Sequence, residues 1–209
     1  MSLIRFARLS LIVVTSILPA AFRDAALQTP AQSPAPVSLA GQLLIASPAM
    51  ADPRFHRTVI LMVQHDRSGA LGIVINRPLQ ERSLASLLAA LGEQDASVAG
   101  NVRIFAGGPV QPDVGFVVHS ADYRRSETIA IDGRVAMTSS REILRDIGNN
   151  RGPKKSLVAF GYAGWRPGQL EEELSHGVWF TAAEDADLVF DVDRDKVWDD
   201  AMKRRTQDL

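Results

Sequence analysis

A continuous apolar run, Val59-Ile60-Leu61-Met62-Val63 after Thr58, constrains this chain more than any other segment. Its short length and β-branched content favour a strand buried on both faces over a helix. After the polar stretch His65 to Gly69, which reads as a hairpin loop, Ala70 to Ile75 returns as the partner strand. Pro78 is expected to stop that strand, because proline cannot donate to a ladder. Gly72, inside the returning run, marks a bulge or a place where another backbone comes close.

The segments around this hairpin are short and joined by turns. Gln42 to Ala46, Val102 to Phe105, Val114 to His119, Ser156 to Phe160 and Val178 to Phe180 read as strands. Ile129 to Ile131 and Val135 to Thr138 form a predicted hairpin across Asp132-Gly133. Leu84, Leu87, Leu88 and Leu91 fall at helical spacing in Ser83 to Leu91, with Gly92 as the stop. Further helices are predicted over Ser140 to Ile147, Gln169 to Ser175 and Asp195 to Arg204, the last anchored by Trp198. Strand and helix do not alternate strictly, so the expected class is α+β with a mostly antiparallel or mixed sheet. With 209 residues, 46% of them hydrophobic, the chain supports one sizeable core rather than two domains.

The N-terminus reads differently from the rest. Arg5 and Arg8 precede an apolar stretch, Leu9 to Phe22, in the layout of a secretory signal. The stretch is short for a membrane span, which needs about 20 apolar residues. Ala25 to Pro36 is rich in Ala, Gln, Ser, Thr and Pro and reads as a flexible linker. The expected division is therefore a leader and linker over residues 1–37 and a folded domain over 38–209. Arg23 and Asp24 follow the apolar run closely and no clean small-x-small cleavage site is present. Export to the periplasm leads, with a misplaced start codon or an uncleaved amphipathic leader as the alternatives.

Several function classes lose support at this level. The net charge of −1 gives no bulk attraction to nucleic acid or to an anionic membrane. Lys203-Arg204-Arg205 sits beside Asp199, Asp200 and Asp208 and reads as a solvated tail. Cysteine is absent, which excludes thiolate chemistry and Cys-ligated zinc. His56, His65, His119 and His176 lack metal-ligand spacing. Serine-hydrolase, Walker and dinucleotide fingerprints are missing, and no helix pair has a basic, base-reading face. No metal, cofactor or nucleic-acid partner is expected.

Five blocks in fixed order carry a family resemblance: Phe55-His56-Arg57-Thr58-Val59, Gly72 to Pro78, Gly107-Gly108-Pro109-Val110, Gly161-Tyr162-Ala163-Gly164-Trp165, and Gly168 to Glu173. Together they resemble the YqgE/AlgH family, also called UPF0301, over roughly residues 39–203. The resemblance implies a curved, bifurcated sheet flanked by helices in one compact domain. It also implies an intracellular setting, which the leader opposes. No catalytic mechanism comes with it, although some members carry a transcriptional-regulator label. The family pattern Gln-Leu-Glu-x-Glu matches Gln169, Leu170, Glu171 and Glu173 and leaves Glu172 at the variable place.

The candidate surface consists of Asn76, Arg77, Gly107, Gly108, Tyr162, Trp165, Gln169, Glu171 and Glu173. Asn76 suits a turn by bonding nearby backbone. Arg77 offers a bidentate fork to a carboxylate or phosphate. Gly107 and Gly108 are read either as a sharp turn or as an anion-binding concavity. Tyr162 and Trp165 supply flat surface with polar tips. The acids at the start of the last block suit the helix dipole. One of them, Glu171 or Glu173, is expected to meet Arg77, as a structural ion pair or as one wall of a pocket. The leading function is a non-enzymatic binding or regulatory accessory protein with an unidentified protein or small-molecule partner. The alternative is an enzyme using one of those carboxylates near Arg77, and direct DNA binding ranks last.

Overall fold

The structure is a computed structural model that describes residues 37–93 and 98–206. The leader and linker therefore lie outside the described residues, apart from Val37. The described chain runs through β1 (Gln42–Ala46), β2 (Val59–Asp66), β3 (Gly69–Val74), β4 (Pro78–Ser83), α1 (Leu84–Ala90), β5 (Asn101–Ala106) and β6 (Val110–Ser120). It continues through β7 (Thr128–Ala130), β8 (Val135–Thr138), α2 (Glu142–Gly148), β9 (Ser156–Trp165), α3 (Gln169–Ser175), β10 (Trp179–Ala183), α4 (Ala186–Phe190) and α5 (Val197–Lys203). This is an α+β fold built on one ten-stranded sheet.

The sheet order is β10-β1-β2-β3-β9-β6-β8-β7. The long strand β9 makes it fork. Along one edge, its C-terminal half pairs with β3 (Leu71 opposite Gly164) and its N-terminal half pairs in parallel with β5 (Phe105 opposite Ala159). Its other edge carries β6. The β5–β9 pair is parallel and the remaining pairs are antiparallel. Leu43 of β1 and Val135 of β8, near opposite ends of the strand order, belong to one buried cluster that also takes in Val197 of α5. A sheet whose distant strands share a core must curl around it.

Both faces of the central strands are covered, as the apolar run predicts. Leu43, Ile45, Leu61 and Val63 pack on the inner cluster with α4 and α5. Leu44, Ala46, Ile60 and Met62 pack on the other face with Trp165, Leu170 and Trp179. A third cluster sets α1 and α2 on the β5–β9–β6 arm through Leu84, Leu88, Ile143 and Val158. The pairing register of β2 and β3 shifts between Met62 and Gln64, opposite Gly72, so a bulge is present. A Cβ on Gly72 would also lie 3.0 Å from the Leu61 carbonyl oxygen, besides 2.4 Å from Cγ2 of Ile60, so both readings of that glycine hold together. Ser83 caps α1 by accepting a bond from the Ser86 amide.

Three local expectations need correction. The β2–β3 loop is shorter than predicted, and His65 belongs to β2 with its side chain buried. The alternation of buried Val63, exposed Gln64, buried His65 and exposed Asp66 carries the strand through the polar residues. Pro78 does not sit at the end of β3; it opens the unforeseen strand β4, exposed throughout and paired with β5. Proline is tolerated as the first residue of such an edge strand. Helix α4 was also unforeseen. Among the described residues, no helix is long and apolar enough to cross a membrane.

Candidate functional site

The main cleft forms where the β1–β2 loop folds over the end of β9 and the helix α3. The loop is shaped by short-range bonds, with the Phe55 amide donating to the Asp52 carbonyl and the Thr58 amide to the Phe55 carbonyl. Asp52 and Arg54 close on each other at 2.7 Å, so their charges cancel locally. Gly168, at φ 78°, turns the chain from β9 into α3, and Gly177, at φ 67°, turns it out towards β10. Trp165 and Trp179 are thereby placed at the two ends of α3, on one side of it.

Both tryptophans aim their indole N–H at a single acceptor. Nε1 of Trp165 donates to Oε2 of Glu173 at 2.8 Å, and Nε1 of Trp179 donates to the same oxygen at 2.7 Å. Nε2 of Gln169, one helical turn earlier, donates to Oε1 at 2.9 Å. The two indoles meet edge to face, with centroids 5.9 Å apart, and Phe55 packs on Trp179 in the same way at 5.5 Å. Beside this cluster lies a cavity of about 510 Å3 whose lining includes Met50, Phe55, Pro109, Trp165, Glu173 and Trp179. A carboxylate offers about four lone-pair sites. Glu173 commits three of them to neutral donors, and no cationic side chain bonds it among the described residues.

Glu171 faces elsewhere. Two residues apart on a helix is a rotation of about 200°, so Glu171 and Glu173 leave α3 on nearly opposite sides. Oε1 of Glu171 sits 2.9 Å from Nε2 of buried His65. The Leu39 amide donates to Nδ1 of the same ring at 3.1 Å, which leaves the imidazole proton on Nε2 to be donated to Glu171. Burial pushes the Glu171 carboxyl up, but a backbone amide and the His65 bond outweigh it and hold the group below its ordinary range. This pair fastens the start of the described domain to α3.

The remaining candidates divide. The Asn76 side chain accepts from the Val59 amide at 2.9 Å and donates to the Arg57 carbonyl at 2.9 Å, splicing the start of β2 to the chain after β3. Asn76→Ala is expected to cost about 1–3 kcal/mol in urea unfolding, because the Val59 amide in the sheet is left without an acceptor. A loss under about 0.5 kcal/mol would show that water replaces the amide freely.

Arg77 does not meet Glu171 or Glu173. Its guanidinium donates to the His56 carbonyl and lines a different cavity, with Arg57, Arg194 and Trp198. The expected pairing fails because Glu173 is drawn to the indole donors and Glu171 to His65. Nor do Gly107 and Gly108 make an open anion cradle. The Gly107 amide donates to the Phe160 carbonyl at 2.7 Å, and both glycines lie against the backbone of β9. Their turn carries Pro109 and Val110 into the cleft wall. Tyr162 points to the opposite face of β9 from Trp165, where it packs edge to face on Phe116 at 6.1 Å.

Of the candidates, Trp165, Gln169 and Glu173 thus converge on one cleft. Sequence reasoning missed Trp179, Met50 and the role of Phe55. Phe55 stands within a signature block, which was a usable signal. Trp179 was legible only as the middle residue of the short predicted strand Val178 to Phe180, since its approach to Glu173 depends on β10 pairing with β1.

Comparison with known proteins agrees with this fold. A family model described as AlgH-like matches residues 43–209. A UPF0301 protein from Rhodospirillum rubrum is 44% identical over 153 residues, covering 73% of this chain and 80% of that protein. A UPF0301 protein from a Jannaschia species is 44% identical over 167 residues, covering 79% and 87%. The solution structure of the AlgH protein from Pseudomonas aeruginosa is similar at a TM-score of 0.70 and 40% identity, over 81% of this chain and 89% of that one. The crystal structure of a Corynebacterium diphtheriae protein, at 23% identity and a TM-score of 0.60 over 80% and 87%, shares the fold.

Proposed function

We propose, for a chain that belongs to the AlgH-like family, that its task is recognition rather than catalysis: a binding or regulatory accessory protein that takes a ligand into the cleft of Phe55, Trp165, Glu173 and Trp179. The observation that carries this reading is the state of Glu173. A carboxylate that serves as general acid or base must be free to exchange a proton with a substrate. Glu173 is instead clamped by two indole N–H groups and an amide. Such a clamp holds a negative charge in place and leaves about one lone pair for an incoming donor. The catalytic alternative needed an arginine beside that carboxylate, and Arg77 lines another cavity.

The cleft also suggests what it takes. Its volume of about 510 Å3 lies within the range of small-ligand sites. Aromatic rings line it, and its Asp52–Arg54 pair is self-neutralised, so Glu173 is the charge left to match. A small molecule with an apolar body and a protonated primary amine fits that wall, through a charge-assisted bond to Glu173 and contact with the indoles.

The test uses the protein's own tryptophans, two of the three being in the cleft. Primary alkylamines and arylalkylamines are titrated while indole fluorescence is followed, with the matching alcohols and carboxylic acids as controls. Amines are expected to give a saturable change that weakens about tenfold or more in Glu173→Gln, given the ~1.5–3 kcal/mol of a hydrogen bond to a charged group. Preference for the acids, or unchanged amine affinity in the variant, would sink the reading, and chemical turnover of a bound amine would restore the enzyme. Urea midpoints of both proteins are measured alongside to exclude unfolding. In mobility-shift titrations with native promoter fragments, no sequence-specific retention is expected at physiological salt.

A further inference from the structure

A second cavity, of about 290 Å3, lies where the end of the β1–β2 loop meets the Asn76-Arg77 corner and the start of α5. Its wall includes His56, Arg57, Arg77, Arg194, Asp195 and Trp198. Three guanidiniums thus face one small space, in a chain whose net charge is −1.

Each arginine is held differently. Arg57 is fixed by Asp199 at 2.8 Å and lies over the Trp198 ring, 4.2 Å from its centroid. Arg194 is half-buried, and all its bonds go to carbonyls: Val192, Val189 at 2.8 Å and Ile75 at 3.4 Å. Those carbonyls orient its charge without neutralising it. Burial holds its pKa below the ordinary arginine value, against the nearby Asp191 and Asp193. Arg77 spends one donor on the His56 carbonyl and bonds no carboxylate among the described residues. A guanidinium has five N–H donors, so most of the Arg77 fork is uncommitted. Of the acids around it, Asp199 is committed to Arg57 and Asp191 to Lys155, which leaves Asp195 on the wall and Asp193 beside Arg194 to oppose the positive charge.

We propose that this cavity is a binding site for a phosphate group, with Arg77 as the fork that closes on it and Arg57 and Arg194 as fixed walls of positive potential. Guanidiniums approaching from three separate connecting loops suit a tetrahedral oxyanion, which has an oxygen to offer each, better than a planar carboxylate with two. Trp198 gives any organic body a flat surface to rest on. The site uses neither Glu173 nor the indole clamp, so it stands or falls separately from the amine cleft.

The experiment titrates inorganic phosphate and phenyl phosphate into the full chain at constant ionic strength, with acetate and chloride as controls. Heat and the Nε–H resonances of Arg57 and Arg77 are both read. Both phosphates, or the ester alone, are expected to bind saturably, and acetate to bind at least about tenfold more weakly. Arg77→Gln should weaken phosphate binding about tenfold or more, and Arg77→Lys, which keeps the charge and loses the fork, should fall between. Among the described residues the Arg77 side chain makes one hydrogen bond, and the bond its carbonyl accepts from the Ala106 amide survives substitution, so both variants are expected to fold, and urea midpoints check this. Tighter phenyl phosphate would assign the site to an esterified phosphate, and equal affinities to the free ion. No saturable response to either phosphate, equal responses to acetate, or wild-type affinity in Arg77→Gln would each overturn the proposal.

Discussion

Gly108→Ala is expected to lower the stability of the protein by about 3 kcal/mol or more, a large share of the ~5–15 kcal/mol that holds an ordinary domain folded. The added Cβ would lie 2.1 Å from the Tyr162 carbonyl carbon, 2.3 Å from its oxygen and 2.4 Å from the Ala163 nitrogen. These are backbone atoms of β9 and cannot rotate away as a flexible side chain can. Gly108 also sits at φ 153°, which an L side chain rarely adopts. The contact is reciprocal, since a Cβ on Gly161 would meet the Gly108 carbonyl oxygen at 2.3 Å. Two separate signature blocks therefore meet at one crossing of main chains. That crossing presses Pro109 and Val110 against Ala163 and Gly164 and so builds one wall of the cleft. Gly168→Ala is the contrast. It has φ 78° and open space around its Cβ, so it should cost only the ~1–2 kcal/mol of a left-handed alanine. Urea unfolding of the two variants checks the pair of values. Equal losses, or a loss under 1 kcal/mol at Gly108, would mean that β9 yields and the crossing is not rigid.

The contrast marks how far a sequence of this kind can be read. The buried hairpin of β2 and β3 is legible because an apolar run of that length has few alternatives. Helix α1 is legible through its leucine spacing and its Ser83 cap, and α3 through the bounds set by Gly168 and Gly177. Strand β4 is not, because Pro78 to Ser83 are all exposed and carry no apolar alternation. It exists because β5 is there to pair with it, which is tertiary information. Helix α4 spans five residues, too few for a helical period to register. The resemblance correctly implied the forked sheet, but the physical cause, β9 sharing one edge between β3 and β5, needs coordinates. Within the site, Trp165, Gln169 and Glu173 were found through the signature blocks that carry the family resemblance. The partner assigned to the acids was wrong because sequence shows which charges exist and not which donors reach them first. Arg77 looked like the natural partner on charge alone. Two neutral indoles, one brought from β10, took that place.

The largest pH effect should come from a residue that no motif marked. Glu184 follows β10, its side chain is 1% exposed, and neither of its oxygens accepts a hydrogen bond. The Arg134 guanidinium comes within 2.6 Å of Oε2 but donates instead to the Glu184 main-chain carbonyl. The side chain facing it is another acid, Asp132, whose carboxylate takes the Arg134 and Val135 amides, each at 2.7 Å. Two carboxylates can share a hydrogen bond only if one keeps its proton, and the buried one keeps it. Burial first, then the bond and charge of Asp132, push Glu184 up to about 7 against the pull of Arg134. Burial acts on Asp132 in the same direction, but its amide bonds hold it below the ordinary value of 3.8. The sign for stability follows from proton counts. Below its ordinary value of 4.5, Glu184 is protonated in both the folded and unfolded chain and carries no penalty. Between 4.5 and about 7 the folded state holds a proton that the unfolded chain has released, so stability falls as pH rises. The loss is complete above about 7 and amounts to roughly 3 kcal/mol at most, while Asp132 acts in the opposite sense only at more acid pH. Glu184→Gln keeps a donor for Asp132 and has no proton to lose. It should therefore be near neutral at pH 4.5 and more stable than the parent by up to roughly 3 kcal/mol at pH 8. Urea unfolding at the two pH values decides it: parallel pH dependences for the two proteins would show that Glu184 ionises as freely in the folded state as in the unfolded one.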